Sequence, residues 1–254
     1  GPVGLLGAMA FRVRGYTTFV YSLEPDDHPK ARITRALGGQ YVSASSVTVI
    51  QLLERIGNVD AVYEAAFQRA GIERIFQIED MFDCAELLAR QQPAKGDRLA
   101  IITNAGGPGV MTTDALIDRA GKLASFSDET MAKLNECLPP FWSHGNPVDV
   151  LGYAPPERFA KALDIVIQEK NVDAVLVILT PQAMTDASGT ARAVGEVAAR
   201  AHKPVLAAWM GGHTVNEGVQ LLNESGIPTY ATPEKAIRAF MHLVSYARNL
   251  QILH

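Results

Sequence analysis

The residues of this chain with the clearest potential for chemistry are three closely spaced glycines, Gly106, Gly107 and Gly109. They follow Asn104 and flank Pro108, and a helix is predicted to begin at about Gly109. Glycine has no side chain to shield the main-chain N–H groups. Because several of these N–H groups and the helix dipole point at one place, the segment predicts a site for an anion: a phosphate, a phosphorylated side chain or a carboxylate.

Two histidines could contribute to chemistry at the same end of the molecule. His213 follows the fourth predicted strand and could carry a phosphoryl group; the simpler interpretation is a histidine at a helix start, with Thr214 as the cap. His144 could line the same edge or face solvent from a loop. The other histidines lack metal-ligand spacing, so no zinc site is predicted from His28, His202, His242 and His254.

Two carboxylates and two thiols complete the candidate reactive groups. Asp149 and Asp173 are potential acids or bases, but the simpler interpretation is that Asp149 orients loop N–H groups and Asp173 caps the entry to a strand. Cys84 and Cys137 are far apart and form no ligand pair. We expect both thiols to be buried, small apolar groups in a reducing compartment.

Strand and helix patterns alternate through residues 98–254, which predicts a parallel sheet covered on both faces. The predicted strands are Leu99–Thr103, Leu123–Phe126, Ala174–Thr180, Val205–Trp209 and Pro228–Tyr230. The predicted helices are Gly109–Ala120, Asp128–Cys137, Pro156–Lys170, Gly189–Ala201, Thr214–Ser225 and Pro233–Asn249. Five strands with a glycine segment after the first predict a flavodoxin-like layout, whose ligands bind at the carboxyl ends of the strands.

Residues 1–64 show a second α/β pattern, interpreted as an incomplete Rossmann-like unit. Its predicted elements are a helix ending near Arg14, strand Tyr16–Ser22, helices Pro29–Leu37 and Gln51–Ile56, and strand Val59–Tyr63. Residues 65–97 are predicted to be a connector, with a helix over Met81–Gln91 and then a polar linker containing proline and glycine. The predicted domains are therefore 1–64, 65–97 and 98–254.

The composition indicates a globular protein of one or two domains. The chain has 254 residues, of which 48% are hydrophobic, enough for a full core. With 23 basic and 27 acidic residues and no basic stripe, nucleic acid is not an expected partner. No apolar run has the length of a membrane span, and the first ten residues lack a basic leader and a clear cleavage site. The expectation is a cytoplasmic protein without membrane association.

From about Tyr63 onward, roughly three quarters of the chain resembles the NDP-forming acyl-CoA synthetases, relatives of succinyl-CoA synthetase. The matching stretches are Tyr63-Glu-Ala-Ala-Phe-Gln-Arg-Ala-Gly71, Ile101-Ile-Thr-Asn-Ala-Gly-Gly-Pro-Gly109, Gly145-Asn-Pro-Val-Asp149 and Gly226-Ile-Pro-Thr-Tyr-Ala-Thr-Pro-Glu234. The resemblance implies a flavodoxin-like domain whose glycine turn stabilises a phosphohistidine, with phosphate or CoA as ligands. The implied phosphate-binding residues are Asn104, Gly106, Gly107 and Gly109, supported by Asn146 and Asp149.

Three features of that family are not recognised in this sequence. The family carries its phosphorylated histidine in a His-Thr-Gly motif just upstream of the Tyr-Glu-Ala-Ala-Phe stretch. Here the upstream position reads Glu54-Arg-Ile-Gly-Asn-Val-Asp-Ala-Val62, with no histidine. The CoA-binding Rossmann domain and the ATP-grasp domain are not recognised either. No catalytic residue is therefore assigned, and we expect a complete ligase reaction to require an ATP-grasp or CoA-binding partner subunit.

Residues 1–64 are similar to the nucleotide-binding part of medium-chain glucose dehydrogenases. The similar stretches are Gly1-Pro-Val-Gly-Leu-Leu-Gly-Ala-Met-Ala10, Tyr21-Ser-Leu-Glu-Pro-Asp-Asp-His-Pro-Lys-Ala-Arg32, Leu37-Gly-Gly-Gln-Tyr-Val42 and Ile56-Gly-Asn-Val-Asp-Ala-Val-Tyr-Glu64. Gly1 and Gly4 correspond to the last two glycines of the dinucleotide fingerprint, whose first glycine and preceding strand are absent. Ser22 lies roughly twenty residues later, at the position of the ribose contact. With no carboxylate expected at that strand tip, Ser22 and Lys30 indicate NADP.

The two resemblances meet near Tyr63, as in a fusion of two fragments. They leave three functional hypotheses. The leading one is a phosphate- or CoA-related binding domain of an NDP-forming acyl-CoA ligase, acting on a phosphohistidine supplied by another domain. The second is an NADP-binding oxidoreductase fragment that uses residues 1–64. The third is a non-catalytic scaffold in which the glycines serve only the fold. A missing strand would expose a sheet edge, so a homo-oligomer is also predicted.

Overall fold

The computed structural model describes residues 19–48, 51, 67 and 70–252. The contacts divide the chain into two compact units, Gly1–Ile72 and Glu73–His254. The boundaries expected at residues 64 and 97 stay a prediction. Each unit is described below by itself.

The first unit contains a parallel β-α-β arrangement. Strand β1 (Phe19–Ser22) is followed by helix α1 (Pro29–Ala36) and strand β2 (Gln40–Ser43), which pairs in parallel with β1. The sequence predicted β1 and α1 but not β2, which is short and alternates between exposed and buried residues. Several predicted elements lie outside the described residues: the helix ending near Arg14, most of Gln51–Ile56, and strand Val59–Tyr63.

The second unit is built on a six-stranded parallel sheet. Its strands are β3 (Arg98–Thr103), β4 (Lys122–Leu123), β5 (Val148–Asp149), β6 (Ala174–Leu179), β7 (Val205–Trp209) and β8 (Thr229–Tyr230). The strand order is β4-β3-β6-β7-β8, and β5 pairs with β3 beyond the end of β4. Without β5, this is the 2-1-3-4-5 order of flavodoxin-like folds. The predicted α/β class and flavodoxin-like sheet are confirmed.

Helices cover both faces of this sheet. They are α2 (Ile78–Arg90), α3 (Gly106–Asp118), α4 (Asp128–Cys137), α5 (Pro156–Gln168), α6 (Ala187–Ala198), α7 (Asn216–Glu224) and α8 (Pro233–Ile252). Alternate residues of β3 point to opposite faces. Ala100 and Ile102 pack with α4, α5, α6 and α7, whereas Leu99 and Ile101 pack with α2, α3 and α8. Covering both faces explains why all six residues of β6 are apolar and buried.

Two strand predictions differ from the structure. The predicted strand Leu123–Phe126 is reduced to β4, because the edge of β3 is shared with β5. Strand β5 was not predicted, since two residues are too few to show a periodic pattern. The edge of β3 is thus covered by two short segments instead of one longer strand.

Asp173 joins the amino ends of two central strands. It accepts hydrogen bonds from the Arg98 main-chain N–H at 3.0 Å and from Arg98 Nε and Nη2, both at 2.8 Å. These side-chain bonds, opposed by burial, lower the pKa of Asp173 below its ordinary value. Asp173 therefore holds the start of β3 beside the start of β6, at the opposite edge of the sheet from the glycines. This position agrees with the expectation that Asp173 caps the entry to a strand.

Candidate functional site

The candidate site lies where the parallel strands end. Strands β3, β5, β6 and β7 run in the same direction, so their carboxyl ends and the following loops share one edge of the sheet. Helix α3 begins there at Gly106, with Ala105 as an N-cap in extended conformation. The expectation of a glycine turn ahead of a helix starting at Gly109 is wrong. Gly106, Gly107 and Gly109 form the first turn of the helix itself, and none has a positive φ.

The first turn of α3 presents two N–H groups. The Ala105 N–H donates to Thr103 Oγ1 at 3.1 Å, and the Gly109 N–H donates to the Ala105 carbonyl at 3.3 Å. Pro108 has no N–H to donate. Within the described part of the chain, the exposed N–H groups of Gly106 and Gly107 have no hydrogen-bond acceptor. Two amides and the positive end of the helix dipole are thus available to an anion.

The glycines of this turn meet different surroundings. A Cβ on Gly107 would have no heavy atom within 4 Å, so the helix end is open at that point. A Cβ on Gly109 would lie 3.1 Å from Thr103 Cγ2 and 3.4 Å from Pro147 Cβ. Gly107 therefore leaves room for a ligand, whereas Gly109 lets α3 approach the end of β3. The main-chain N–H of Gly109 is already used within the helix.

Asn104 holds two strand ends together through its side chain. Its Oδ1 accepts from the Thr180 N–H and its Nδ2 donates to the Thr180 carbonyl, both at 2.8 Å. Gln182 Nε2 donates to the Asn104 carbonyl at 3.4 Å. The Asn104 side chain is almost fully buried and fixes the ends of β3 and β6 beside the helix start. Thr180 and Gln182 were missed from the sequence, although a polar residue directly after a buried strand is a usable signal.

Asn146 holds the outer edge of β3. Its Oδ1 accepts from the Ile101 N–H at 2.9 Å, and its Nδ2 donates to the carbonyls of Leu99 at 3.0 Å and Ala124 at 2.9 Å. The peptide bond to Pro147 is cis. These contacts satisfy main-chain groups of β3 and of Ala124, the residue after β4. Asn146 thus holds the outer edge of β3 to the segment that follows β4.

Asp149 lies beside the start of α3, as the last residue of β5. Its Oδ1 accepts from the Leu151 N–H at 2.9 Å, which fits its predicted role in orienting loop amides. Its Oδ2 would be 3.5 Å from a Cβ placed on Gly106. No donor within the described residues reaches this Oδ2. A carboxylate therefore stands beside Gly106 at the start of α3.

The structure separates the two candidate histidines. His213 is exposed in a 3₁₀ turn (Gly212–Val215) after β7, at the edge that carries the glycines. The prediction that Thr214 caps the next helix is wrong, because α7 has Val215 as its N-cap and Thr214 Oγ1 donates to the Gly211 carbonyl. Both ring nitrogens of His144 lie 2.9 Å from oxygens, Asn135 Oδ1 and the carbonyl of Pro140. His144 is therefore held against α4 and the loop that follows it.

The tip of β1 differs from the sequence prediction. No carboxylate was expected there, but Glu24 accepts hydrogen bonds from both Ser22 Oγ and Lys30 Nζ. The bonds from Lys30 and then Ser22 lower the pKa of Glu24 to about 2. The lysine expected to meet an extra phosphate is thus paired with a carboxylate. This arrangement offers no support for NADP, and Gly1 and Gly4 lie outside the described residues.

The thiols and the remaining titratable groups provide no further site. Cys84 is buried, and burial, followed by the charges of Glu73 and Asp80, raises its pKa to about 11. Burial also raises the pKa of the partly buried Cys137. Across the described residues, no group of three or more His, Cys, Asp and Glu side chains could hold a metal ion.

Residues 99–254 match the Ligase-CoA domain family, and this segment is more than half of the chain. The chain belongs to that family. The Ligase-CoA segment contains the whole sheet edge described above, from β3 through α8, apart from the first residue of β3. The recognised relationship to NDP-forming acyl-CoA synthetases is therefore confirmed.

Two curated relatives of this Ligase-CoA chain are named as ADP-forming acetate–CoA ligases. It is 41% identical over 186 residues to the ADP-forming acetate–CoA ligase I of Archaeoglobus fulgidus, covering 73% of this chain and 26% of that protein. It is 40% identical over 195 residues to the alpha subunit of the ADP-forming acetate–CoA ligase II of Pyrococcus furiosus, covering 74% of this chain and 42% of that subunit. The chain thus spans less than half the length of either relative.

A solved structure agrees with the fold. The dinucleotide forming acetyl-coenzyme A synthetase 1 of Ca. Korarchaeum cryptofilum, in complex with phosphate and ADP, superimposes with a TM-score of 0.70. The two chains are 28% identical, and the match covers 92% of this chain and 54% of that one.

The second resemblance noted in the sequence is minor. The chain is 38% identical over 79 residues to the glucose 1-dehydrogenase of Thermoproteus tenax, covering 30% of this chain and 21% of that enzyme.

Among the described residues, no helix is both long and apolar enough to cross a membrane.

Proposed function

We propose that this chain supplies the Ligase-CoA domain of an ADP-forming acyl-CoA ligase and that the start of α3 holds a phosphoryl group carried on a histidine of another domain. The observation that carries the proposal is the pair of exposed N–H groups of Gly106 and Gly107, which point from an open helix end and have no acceptor within the described residues. Two amides and a helix dipole stabilise the negative oxygens of a phosphoryl group without themselves reacting.

The remaining predicted site residues have supporting roles in this proposal. Asn104 and Asn146 fix the ends of β3 and its neighbours, so that α3 starts at a constant position. Gly109 permits close packing of the helix on Thr103. No side chain of the described part is assigned a chemical step. The phosphorylated histidine, the nucleotide and the CoA are expected to come from other domains or from a partner subunit, as in a relative whose name designates an alpha subunit.

Gly107 is the position used for the test, because a side chain introduced there would point into open space. In Gly107→Asp the new carboxylate should repel a phosphoryl group. The same negative charge interacts favourably with the helix dipole at the N-terminus, and the side chain has open space, so the variant should fold. We expect the affinity for free phosphohistidine, measured by isothermal titration calorimetry, to fall at least about tenfold. Gly107→Asn, which has the same size without the charge, is the control and should lose much less.

An equal affinity for phosphohistidine in wild type and Gly107→Asp would reject the assignment. If neither phosphohistidine nor phosphate bound to the wild-type protein, the glycines would serve only the fold, as the scaffold hypothesis states. Sedimentation of the wild-type chain would test the predicted homo-oligomer separately, and a strict monomer at high concentration would contradict it.

A further inference from the structure

A cavity of about 230 Å³ lies at the amino ends of β7 and β8, the opposite edge of the sheet from the start of α3. The carboxyl ends of α2, α6 and α7 surround it. Its wall combines two cationic side chains, Arg90 and Lys203, with an apolar floor that includes Val205 and Ile227, and no carboxylate of the described residues lines it. The space equals that of about seven water molecules, which suits a small organic ligand.

Two side chains at the end of α2 fix the shape of this cavity. Gln91 Oε1 accepts from the Val205 N–H at 3.1 Å, and Gln91 Nε2 donates to the Gly226 carbonyl at 2.8 Å. Arg90 Nη1 donates to the main-chain carbonyl of Asn223 at 3.1 Å and to its Oδ1 at 3.0 Å. The end of α2 is therefore held against β7 and the segment after α7, so the cavity exists before a ligand binds.

Lys203 carries the charge that a ligand would meet. Arg90 is already paired with Glu86, at 3.2 Å. Lys203 Nζ donates instead to the neutral main-chain carbonyl of Glu169, which leaves two of its three N–H groups without an acceptor in the described part of the chain. Burial lowers the pKa of Lys203, although the charges of Asp173 and Glu169 oppose this effect. An ammonium group that burial disfavours in this way gains stability from an anionic partner.

The wall offers hydrogen-bond donors more than acceptors. Carbonyls at two of the surrounding helix ends already have donors, since the Ala198 carbonyl accepts from the Ala201 N–H at 2.9 Å and the Asn223 carbonyl from the Gly226 N–H at 3.0 Å. A carboxylate with a short apolar chain matches this wall, because its oxygens accept from the ammonium group and its chain covers the apolar floor. An inorganic anion would leave the floor in contact with water, and a cation would be repelled.

We propose that this cavity is a binding site for a small monocarboxylate, whose carboxylate is bound by Lys203 and whose short apolar chain lies on Val205 and Ile227. The proposal goes beyond the proposed function, because it does not involve the start of α3. The ligand would join α2 to the Ligase-CoA segment, since Arg90 and Gln91 precede the matched residues 99–254 and Lys203 lies within them.

The experiment titrates the nitrogen-15-labelled full chain with butyrate at pH 7 and constant ionic strength, and follows the amide signals of Gln92 and Ile227. We expect saturable shifts with a Kd below about 20 mM. Butylammonium has the same chain and the opposite charge, and inorganic phosphate has the charge without the chain. Each should bind at least about tenfold more weakly than butyrate. In Lys203→Met the butyrate affinity should fall at least about tenfold.

Lys133→Met is the matched control. Lys133 is exposed on α4 and pairs with Glu129, so this substitution removes the same charge away from the cavity. It should leave the butyrate affinity unchanged. An equal loss in Lys133→Met and Lys203→Met would show that net charge and not Lys203 sets the affinity, and would overturn the proposal.

The wild-type protein decides the matter if Lys203→Met does not fold. Equal binding of butyrate and phosphate, or of butyrate and butylammonium, would overturn the assigned ligand class, and the absence of saturable shifts would overturn the site. The proposed function fails or stands separately, because butyrate should not shift the amide signals of Gly106 and Gly107. Butyrate shifts confined to those two glycines would place the acid at the start of α3 and overturn this proposal.

Discussion

Glu169 offers the sharpest test of how the sheet and its helices are held together. It is buried just after α5 and was not singled out from the sequence. Its Oε2 accepts from the Ser127 N–H at 2.9 Å, from Ser127 Oγ at 2.6 Å and from Thr130 Oγ1 at 2.7 Å. Its Oε1 accepts from the Asn171 N–H at 3.1 Å. One carboxylate thus ties the start of α4 to the end of α5.

Burial alone would raise the pKa of Glu169, but the four hydrogen bonds to Ser127, Thr130 and Asn171 outweigh it and lower the pKa to about 2. A shift from 4.5 to about 2 corresponds to about 3 kcal/mol of folding free energy. Because the folded-state pKa lies below the unfolded value, this contribution is complete well above pH 4.5 and is lost as the pH falls towards about 2.

In Glu169→Gln, an amide nitrogen replaces one acceptor oxygen and faces an N–H donor. We expect the free energy of unfolding at pH 7, measured with urea and circular dichroism, to fall by about 3 kcal/mol. At pH 3 the difference between variant and wild type should shrink to about half that value. The control is Glu129→Gln in the first turn of α4, because the exposed Glu129 side chain pairs with Lys133 across the helix surface. It should leave the stability nearly unchanged.

Two results would refute this reasoning. A loss in Glu169→Gln no larger than in Glu129→Gln would show that the hydrogen bonds carry little net free energy. A large loss of the same size at pH 7 and pH 3 would show that packing, not the ionised carboxylate, is responsible.

Three further predictions concern the frame of the site. Gly109→Ala should destabilise the fold by about 1–3 kcal/mol in urea unfolding, because its Cβ contacts the end of β3, whereas Gly107→Ala should be nearly neutral; equal losses would contradict the geometry. Asn146→Ala should cost about 2–3 kcal/mol, since the Ile101 N–H and the Ala124 carbonyl lose their side-chain partner, and a thermal melt like that of wild type would argue against this role. Cys84, whose pKa is raised to about 11, should resist alkylation by iodoacetamide at pH 8 until urea unfolds the protein, and rapid labelling of the native state would show that it is accessible.

Local patterns were sufficient for much of the fold. The sequence predicted β7 over Val205–Trp209 and α4 over Asp128–Cys137 with the bounds seen in the structure. The first is a buried apolar run, and the second begins with a serine that caps the helix, Ser127. Both signals depend on neighbours within a few residues, which the sequence displays directly. The two-residue strand β5 has no such signal and was missed.

For the glycine segment, the sequence predicted the position of the motif but not the residue at which its helix begins. Its glycines and proline predicted an anion site after the first strand, and the helix does start there. The start of the helix at Gly106 instead of Gly109 was not predictable from composition, because glycine permits a turn or a helix equally well. Because the helix starts at Gly106, the Gly109 N–H is used in a hydrogen bond to the Ala105 carbonyl. Two N–H groups, those of Gly106 and Gly107, therefore remain available in place of the three expected.

The sequence by itself determined the family, the alternation of strands and helices, and the segment for which an anion site is proposed. Only the tertiary structure decided what surrounds that segment: Asn104 bound to Thr180, Asn146 bound to β3 and Ala124, and Asp149 beside Gly106. These partners are many residues apart, and parallel strands bring them together only after the intervening helices have packed on the sheet. Neither spacing nor periodicity encodes such contacts, because they depend on the register of the whole sheet.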